Sequence, residues 1–249
     1  MIVQYKFTLP RPASHPLYPD AAYRLYAHLL EKLSPEDALS LHETGGREIS
    51  QFLQYDKPGN RYLWTLSLLS ERTVELLRPV LEALTEVRIE NQVFSISART
   101  VREITAEELI LQGRAGEGNR ATILFCTQTA FRQSGRYTIF PQERLILQSL
   151  ILRWNEVFPR YPLEDEDAIN AMLAGIHIVD YQLRSGRFLL KGTRIPGFTG
   201  SCVVEAKLAL PLLELWNALI AFANFAGLGI KTGLGMGGVQ TEMHRQDKK

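Results

Sequence analysis

Residues 227–237 read GLGIKTGLGMG and Gly238 follows, so twelve residues hold six glycines, arranged as two Gly-hydrophobic-Gly clips around five residues that include Lys231. Glycine loses the most backbone entropy on ordering and adds no side chain to a core, so this stretch is a shaped loop rather than a helix or strand interior. Chain without Cβ atoms can adopt positive φ and bring N–H groups close to an anion such as a phosphate. The stretch is no dinucleotide fingerprint, which needs a strand before it and a helix starting on it; here an apolar helix precedes and GVQTEM, a short strand pattern, follows. Nor is it a P-loop, because Lys231 follows Ile230 and no helix comes after. A tight helix-to-strand connection would need one or two glycines, not six.

Working outward, the 249 residues suffice for one large domain or two smaller ones, and 45% hydrophobic content supports real cores. The apolar run Leu208–Leu228 is broken by Pro211, Glu214, Asn217 and Asn224 and reads as amphipathic, not membrane-spanning. No secretory leader is expected, since Tyr5, Lys6 and Thr8 interrupt any apolar segment, and a cytoplasmic location follows as an expectation. Cys126 and Cys202 lie in strand-like runs and read as buried free thiols. No metal-ligand spacing such as HxxxH or HExxH occurs, and no metal or cofactor is expected.

The net charge of +1 argues against an indiscriminate nucleic-acid binder, yet arginine outnumbers lysine by 20 to 8. Arginine's planar fork suits bidentate phosphate contacts and stacking on bases. Between Arg184 and Arg194 stand Arg187 and Lys191 with no acid among them, which fits either a solvated strand face or an RNA-binding one.

The N-terminal half reads as strand VQYKFTL, a helix from about Asp20 to Leu33, a strand Tyr62–Leu69, a helix Glu71–Leu84 and two short strands over Val87–Ala98 that turn near Asn91 and Gln92. That order approaches the β-α-β-β-α-β plan. Gly113–Asn119 reads as a linker, after which the pattern restarts: strand ATILFCTQTAF, helix Gln142–Val157, three strand-like runs near 176–183, 187–194 and 201–208, helix Pro211–Phe225 with proline in its first turn, the glycine loop and a final strand. Two α+β domains are expected, 1–112 and 120–249.

Of five histidines, His15 falls in a loop, His177 in a strand and His244 in a charged tail. Helical spacing puts His28 on the polar face of the first helix, with exposure expected. His42 ends a short helix that begins at Ser34-Pro35 and stops at Gly45-Gly46, where the helix dipole favours a cationic ring. Arg47 follows five residues on. Two histidines and an arginine this close in sequence suit a general acid/base pair with a charge stabiliser, although each histidine could equally be a surface residue.

These residues resemble the CRISPR-associated repeat-processing endoribonucleases of the RAMP superfamily. The family signature of Gly-hydrophobic-Gly, five residues with a cation, then Gly-hydrophobic-Gly is met by Gly227-Leu228-Gly229, Ile230–Leu234 with Lys231, and Gly235-Met236-Gly237. FANFAG, GRYTIFP and TRIPGFTGSCVVEA also look like this family, whereas the N-terminal likeness rests on the first helix and Leu41-His42-Glu43. The resemblance implies two tandem ferredoxin-like domains and metal-independent cleavage of precursor CRISPR RNA within its repeats. In that chemistry the ribose 2′-OH attacks the adjacent phosphate and leaves a 2′,3′-cyclic phosphate and a 5′-OH.

A histidine stands in the family where His42 stands here. The family's usual first-helix tyrosine is replaced near that position by His28, with Tyr26 the lesser substitute, and its lysine by Arg47. His42 is thus expected as acid or base, His28 as its partner and Arg47 as stabiliser. The candidates for gripping RNA are Lys231, Arg132, Arg136, Arg187, Lys191 and Arg194, with Gly229, Gly233 and Gly235 shaping the surface. CRISPR repeat RNA is the expected partner and an effector complex a further one, with no membrane; a monomer and a homodimer both stay open. The competing reading is a non-catalytic RAMP subunit that holds CRISPR RNA, and a more distant one is an enzyme of small phosphorylated metabolites.

Overall fold

The computed structural model describes residues 1–11, 16–43, 46–89, 92–116 and 118–244. His15, Gly45, Asn91 and Glu117 of the stretches read above lie outside the described residues. The N-terminal domain runs β1 (Ile2–Pro10), α1 (Ala21–Leu30), α2 (Pro35–Glu43), β2 (Ile49–Asp56), β3 (Arg61–Leu68), α3 (Glu71–Ala83), a hairpin β4 (Glu86–Ile89) and β5 (Gln92–Ser95), and β6 (Ala98–Ile104). Its antiparallel sheet has the order β2-β3-β1-β6. Val3, Tyr5, Phe7 and Leu9 alternate on β1 and are buried with Leu25 and Leu29 of α1 and Leu77 and Leu81 of α3. Ser70 starts α3 through a reciprocal capping box with Thr73.

A connecting helix α4 (Ala106–Ala115) follows, begun by a capping box of Thr105 and Glu108. Gly113, expected to open a linker, lies inside it, because a Cβ there would stand 2.2 Å from the Glu214 carbonyl oxygen of the helix packed against it. The C-terminal domain runs β7 (Arg120–Thr129), a small hairpin β8 (Phe131–Gln133) and β9 (Arg136–Thr138), α5 (Glu143–Val157), α6 (Glu166–Gly175), β10 (Ile176–Leu190), β11 (Thr193–Ala206), α7 (Leu210–Ala226), a 3₁₀ turn Thr232–Leu234 and β12 (Val239–His244). Its sheet order, β10-β11-β7-β12, repeats that of the first domain position for position. Two tandem ferredoxin-like domains are therefore present.

Three expectations change. β2 joins the first sheet as an edge strand paired with β3, unread in sequence because polar Gln51 occupies a buried position. The three strand-like runs of the second half are two long strands, β10 and β11, whose register runs without a break from Asp180↔Val203 to Leu190↔Thr193. His244 ends β12, where its Nε2 lies 3.0 Å from Thr122 Oγ1, rather than lying in a tail.

The glycine loop is the joint between the domains. A Cβ on Gly233 would meet the Gly46 carbonyl oxygen at 2.0 Å, and one on Gly235, whose φ is +103°, would meet Ala22 Cβ at 2.7 Å. Ala130, Phe188, Leu190, Ile195 and Met236 form a small separate core there, against which Tyr23, Ile230 and Leu234 pack. Gln51 donates from Nε2 to the Gly233 carbonyl at 2.9 Å and accepts from Trp64 Nε1 at 2.9 Å. Gln4 likewise donates to the Asn224 carbonyl of α7 at 2.8 Å.

Candidate active site

Five N–H groups of the loop are turned into the protein. Leu228 donates to the Gly237 carbonyl, Gly229 to Ser149 Oγ, Ile230 to the Ala130 carbonyl, Gly237 to the Gln128 carbonyl and Gly238 to Thr127 Oγ1, all at 2.9–3.0 Å. The anion-cradle expectation is not what these five groups serve. Gly233 and Gly235 are buried between the domains, so their contacts are with protein, while Gly229 is half-buried. Lys231 is exposed and held in left-handed backbone with φ 57°.

Two cavities flank this joint and share Gly46 as a wall. One, of about 230 Å³, is lined by Arg47, Arg153, Glu156, Lys231 and the loop backbone. Arg153, on α5, organises it by donating to the Arg47 carbonyl at 2.5 Å and Thr232 Oγ1 at 2.7 Å while pairing with Glu156 at 3.1 Å. Burial pulls the Arg153 guanidinium down from its ordinary value, with Glu156 opposing and the neighbouring Arg47 charge adding to the fall. Nothing in the local pattern of α5 distinguished this arginine from a solvated one.

The second cavity, of about 520 Å³, lies between α1 and α2 and holds His42, Tyr23, Tyr26, Glu31 and Lys191 on its walls. That volume is within the usual range of small-molecule sites. His42 stands exposed in the last turn of α2. Tyr26 is buried, its hydroxyl 3.5 Å from the Leu41 carbonyl, and burial followed by the Glu48 charge pushes it up to about 12. Tyr23 is the half-buried aromatic on the same face of α1, three residues earlier, and was not singled out from sequence. Its position at i−3 from Tyr26 and i−4 from Ala27 was the available signal.

The expected trio is distributed. His42 faces the larger cavity and Arg47 the smaller, while His28 lines neither and pairs through Nδ1 with Glu31 Oε2 at 3.5 Å. The expected exposure of His28 is corrected as well: its side chain is 15% exposed. Among the described residues no three His, Cys, Asp or Glu side chains converge in a way that could hold a metal ion.

Two hairpins carry exposed cations, one reaching the larger cavity through Lys191 and the other lying beside Gly229 and Ile230 of the loop through Arg132. Arg132 and Arg136 sit on the β8–β9 hairpin and Arg187, Lys191 and Arg194 on the β10–β11 hairpin, all exposed and without an ion pair among the described residues. Arg194 is the cross-strand partner of exposed Leu189, two residues from Arg187, which puts both arginines on one sheet face. Among the described residues no helix is long and apolar enough to cross a membrane.

Residues 123–239, from the first strand of the second domain to the start of β12, match the family described as CRISPR-associated endoribonuclease Cas6. A Cas6 endoribonuclease of Streptococcus thermophilus is 28% identical over 238 residues, covering 95% of this chain and 96% of its own length. Over nearly its whole length the chain is thus similar to a Cas6 endoribonuclease. The Cas6 of Mycobacterium tuberculosis is more distant, at 24% identity over 88% of this chain and 70% of its own. Among solved structures, Thermus thermophilus Cas6 superposes with a TM-score of 0.76 at 26% identity, covering 97% of this chain and 98% of its own, and a Cas6 product complex does so with 0.77 at 25%, covering 97% and 100%. The likeness to these solved structures extends over both domains.

Proposed function

We propose that this chain is a Cas6-type endoribonuclease that cuts precursor CRISPR RNA within its repeats, without a metal ion, by attack of a ribose 2′-OH on the adjacent phosphate. The new O2′–P bond displaces the 5′-oxygen; the 2′-OH proton is lost, the leaving oxygen gains one, and the products are a 2′,3′-cyclic phosphate and a 5′-OH. The observation that carries the reading is His42, exposed in a cavity reached by the hairpin of Arg187, Lys191 and Arg194, cations that have no ion-pair partner among the described residues. Histidine titrates near neutrality and can serve as either proton donor or acceptor.

Tyr23 supplies a phenol ring and hydroxyl in the same cavity, and His28 enters through its hold on Glu31. Arg47 and Lys231, in the neighbouring cavity, bind phosphates that flank the cut, and Arg132, Arg136, Arg187 and Arg194 grip the backbone further out. Gly229, Gly233 and Gly235 support this surface from beneath. Phosphate contacts hold the RNA in register, while its shape and unstacked bases supply the choice of repeat.

The test is cleavage of the repeat RNA by purified protein in excess EDTA, with end-group analysis of the products. A single cut that leaves a 2′,3′-cyclic phosphate supports the reading, as does loss of cutting with retained binding in His42→Ala. Tight binding without a cut makes the chain an RNA-holding subunit instead.

A further inference from the structure

Lys191 stands at the tip of the β10–β11 hairpin, in a two-residue turn with Gly192 closed by the Leu190↔Thr193 pair. Its φ is 48° and that of Gly192 is 79°. Positive φ at both central positions is the geometry that favours Asn-Gly or Gly-Gly, and a lysine in left-handed backbone is strained by its Cβ. Such strain at a turn where other residues fit freely points to a task for the side chain.

The side chain's surroundings show what that task is. The hairpin belongs to the C-terminal domain, yet Lys191 Nζ lies 5.3 Å from the ring centroid of Tyr23 on α1, and Lys191 lines the cavity that holds His42. Phe188, Leu190 and Ile195 seat the hairpin in the core at the glycine joint, so the tip is held over the cavity by packing. Glu31, the acid on that wall, is engaged by His28, and Lys191 forms no ion pair among the described residues.

Resting on the nuclease reading above, we infer that Lys191 is a catalytic residue supplied by the second domain, its ammonium stabilising the charge that gathers on the scissile phosphate opposite His42. The phosphate oxygens gain negative charge as the O2′–P bond forms, and a fixed cation in a partly closed site stabilises that state more than the ground state. No proton need leave Lys191 for this. The cut then requires both domains in register, which is what the glycine joint enforces.

The experiment compares Lys191→Asn and Lys191→Arg with the unaltered full-length protein. Single-turnover cleavage is measured at saturating repeat RNA, affinity with the same RNA carrying a 2′-deoxy nucleotide at the cut, and thermal stability in parallel. Asn suits the turn better than lysine, so the expected result is a Tm that holds or rises, a cleavage rate constant about 10²-fold lower, and a Kd within about threefold. Lys191→Arg restores much of the rate. An unchanged rate constant, a loss confined to Kd, or an arginine variant as slow as the asparagine one would overturn the inference while leaving the nuclease reading intact. If the unaltered protein binds the repeat and does not cut it, the nuclease reading fails and this inference fails with it.

Discussion

Gly233 and Gly46 meet backbone to backbone, with the site of a Gly233 Cβ only 2.0 Å from the Gly46 carbonyl oxygen. The two belong to different domains, and Gly46 is also the wall shared by the two cavities. Gly233→Ala must push the loop away from the turn at Gly46, at about 1–3 kcal/mol for the forced displacement. The expected outcome is a Tm several degrees lower with a parallel loss of cleavage, read by thermal unfolding and single-turnover kinetics; an unchanged Tm would show that the joint yields easily.

Gln51 ties the Gly233 carbonyl to the Trp64 indole through one buried amide. Gln51→Leu fills the space but leaves a buried acceptor and a buried donor without partners, each worth about 1–3 kcal/mol. Urea unfolding is expected to show a destabilisation larger than that of Gln54→Leu, a position at the half-exposed end of the same strand.

The stability contribution of Glu205 is set by pH. Hydrogen bonds from Arg120 at 2.9 Å and Lys207 at 3.2 Å hold its carboxyl below the ordinary value of 4.5, against the opposing effect of burial. A carboxyl whose folded pKa is depressed stabilises the fold fully above the unfolded value and loses that contribution as pH falls through the folded one. The Tm gap between the unaltered protein and Glu205→Gln is therefore expected to be widest near neutrality and to close below 4.5. A gap that stays constant across this range would contradict the pairing.

Burial pushes the thiols of Cys126 and Cys202 up to about 12 each. A thiol that is protonated at pH 8 is a poor nucleophile. A disulfide-exchange reagent is expected to leave both unmodified in native protein and to titrate two per chain in denaturant. Rapid native labelling of either would refute this.

Arg187 and Arg194 share a face of the long hairpin and have no acidic partner among the described residues. Replacing either with alanine is expected to weaken repeat RNA binding and to shrink the log–log salt slope by roughly one for each phosphate that is no longer neutralised. An unchanged slope would place the RNA path elsewhere.

Much of the α+β plan is legible locally. The 3.6-residue period of α1, the capping Ser34 of α2 and the first-turn proline of α7 each act within a few residues. β2 and β6 were not legible because their patterns answer to partners far away: Gln51 is buried by the glycine loop, and β6 is exposed along most of its length and held by pairing with β1. The single long β10–β11 hairpin was hidden by Arg184, Gly186 and Arg187, which look like a break until cross-strand register carries the strand through them.

By itself the sequence determined the two-fold repetition of elements, the glycine signature and His42 as a site candidate, because each depends on neighbours within a turn or a strand. Only the tertiary structure decided that the glycine loop joins the two domains, that Arg47 and His42 face different cavities, and that Lys191 of one domain lies over Tyr23 in the cavity that holds the other's His42. Those relations rest on side chains and backbone drawn from distant parts of the chain, brought together by burial of the joint, and no local periodicity records them.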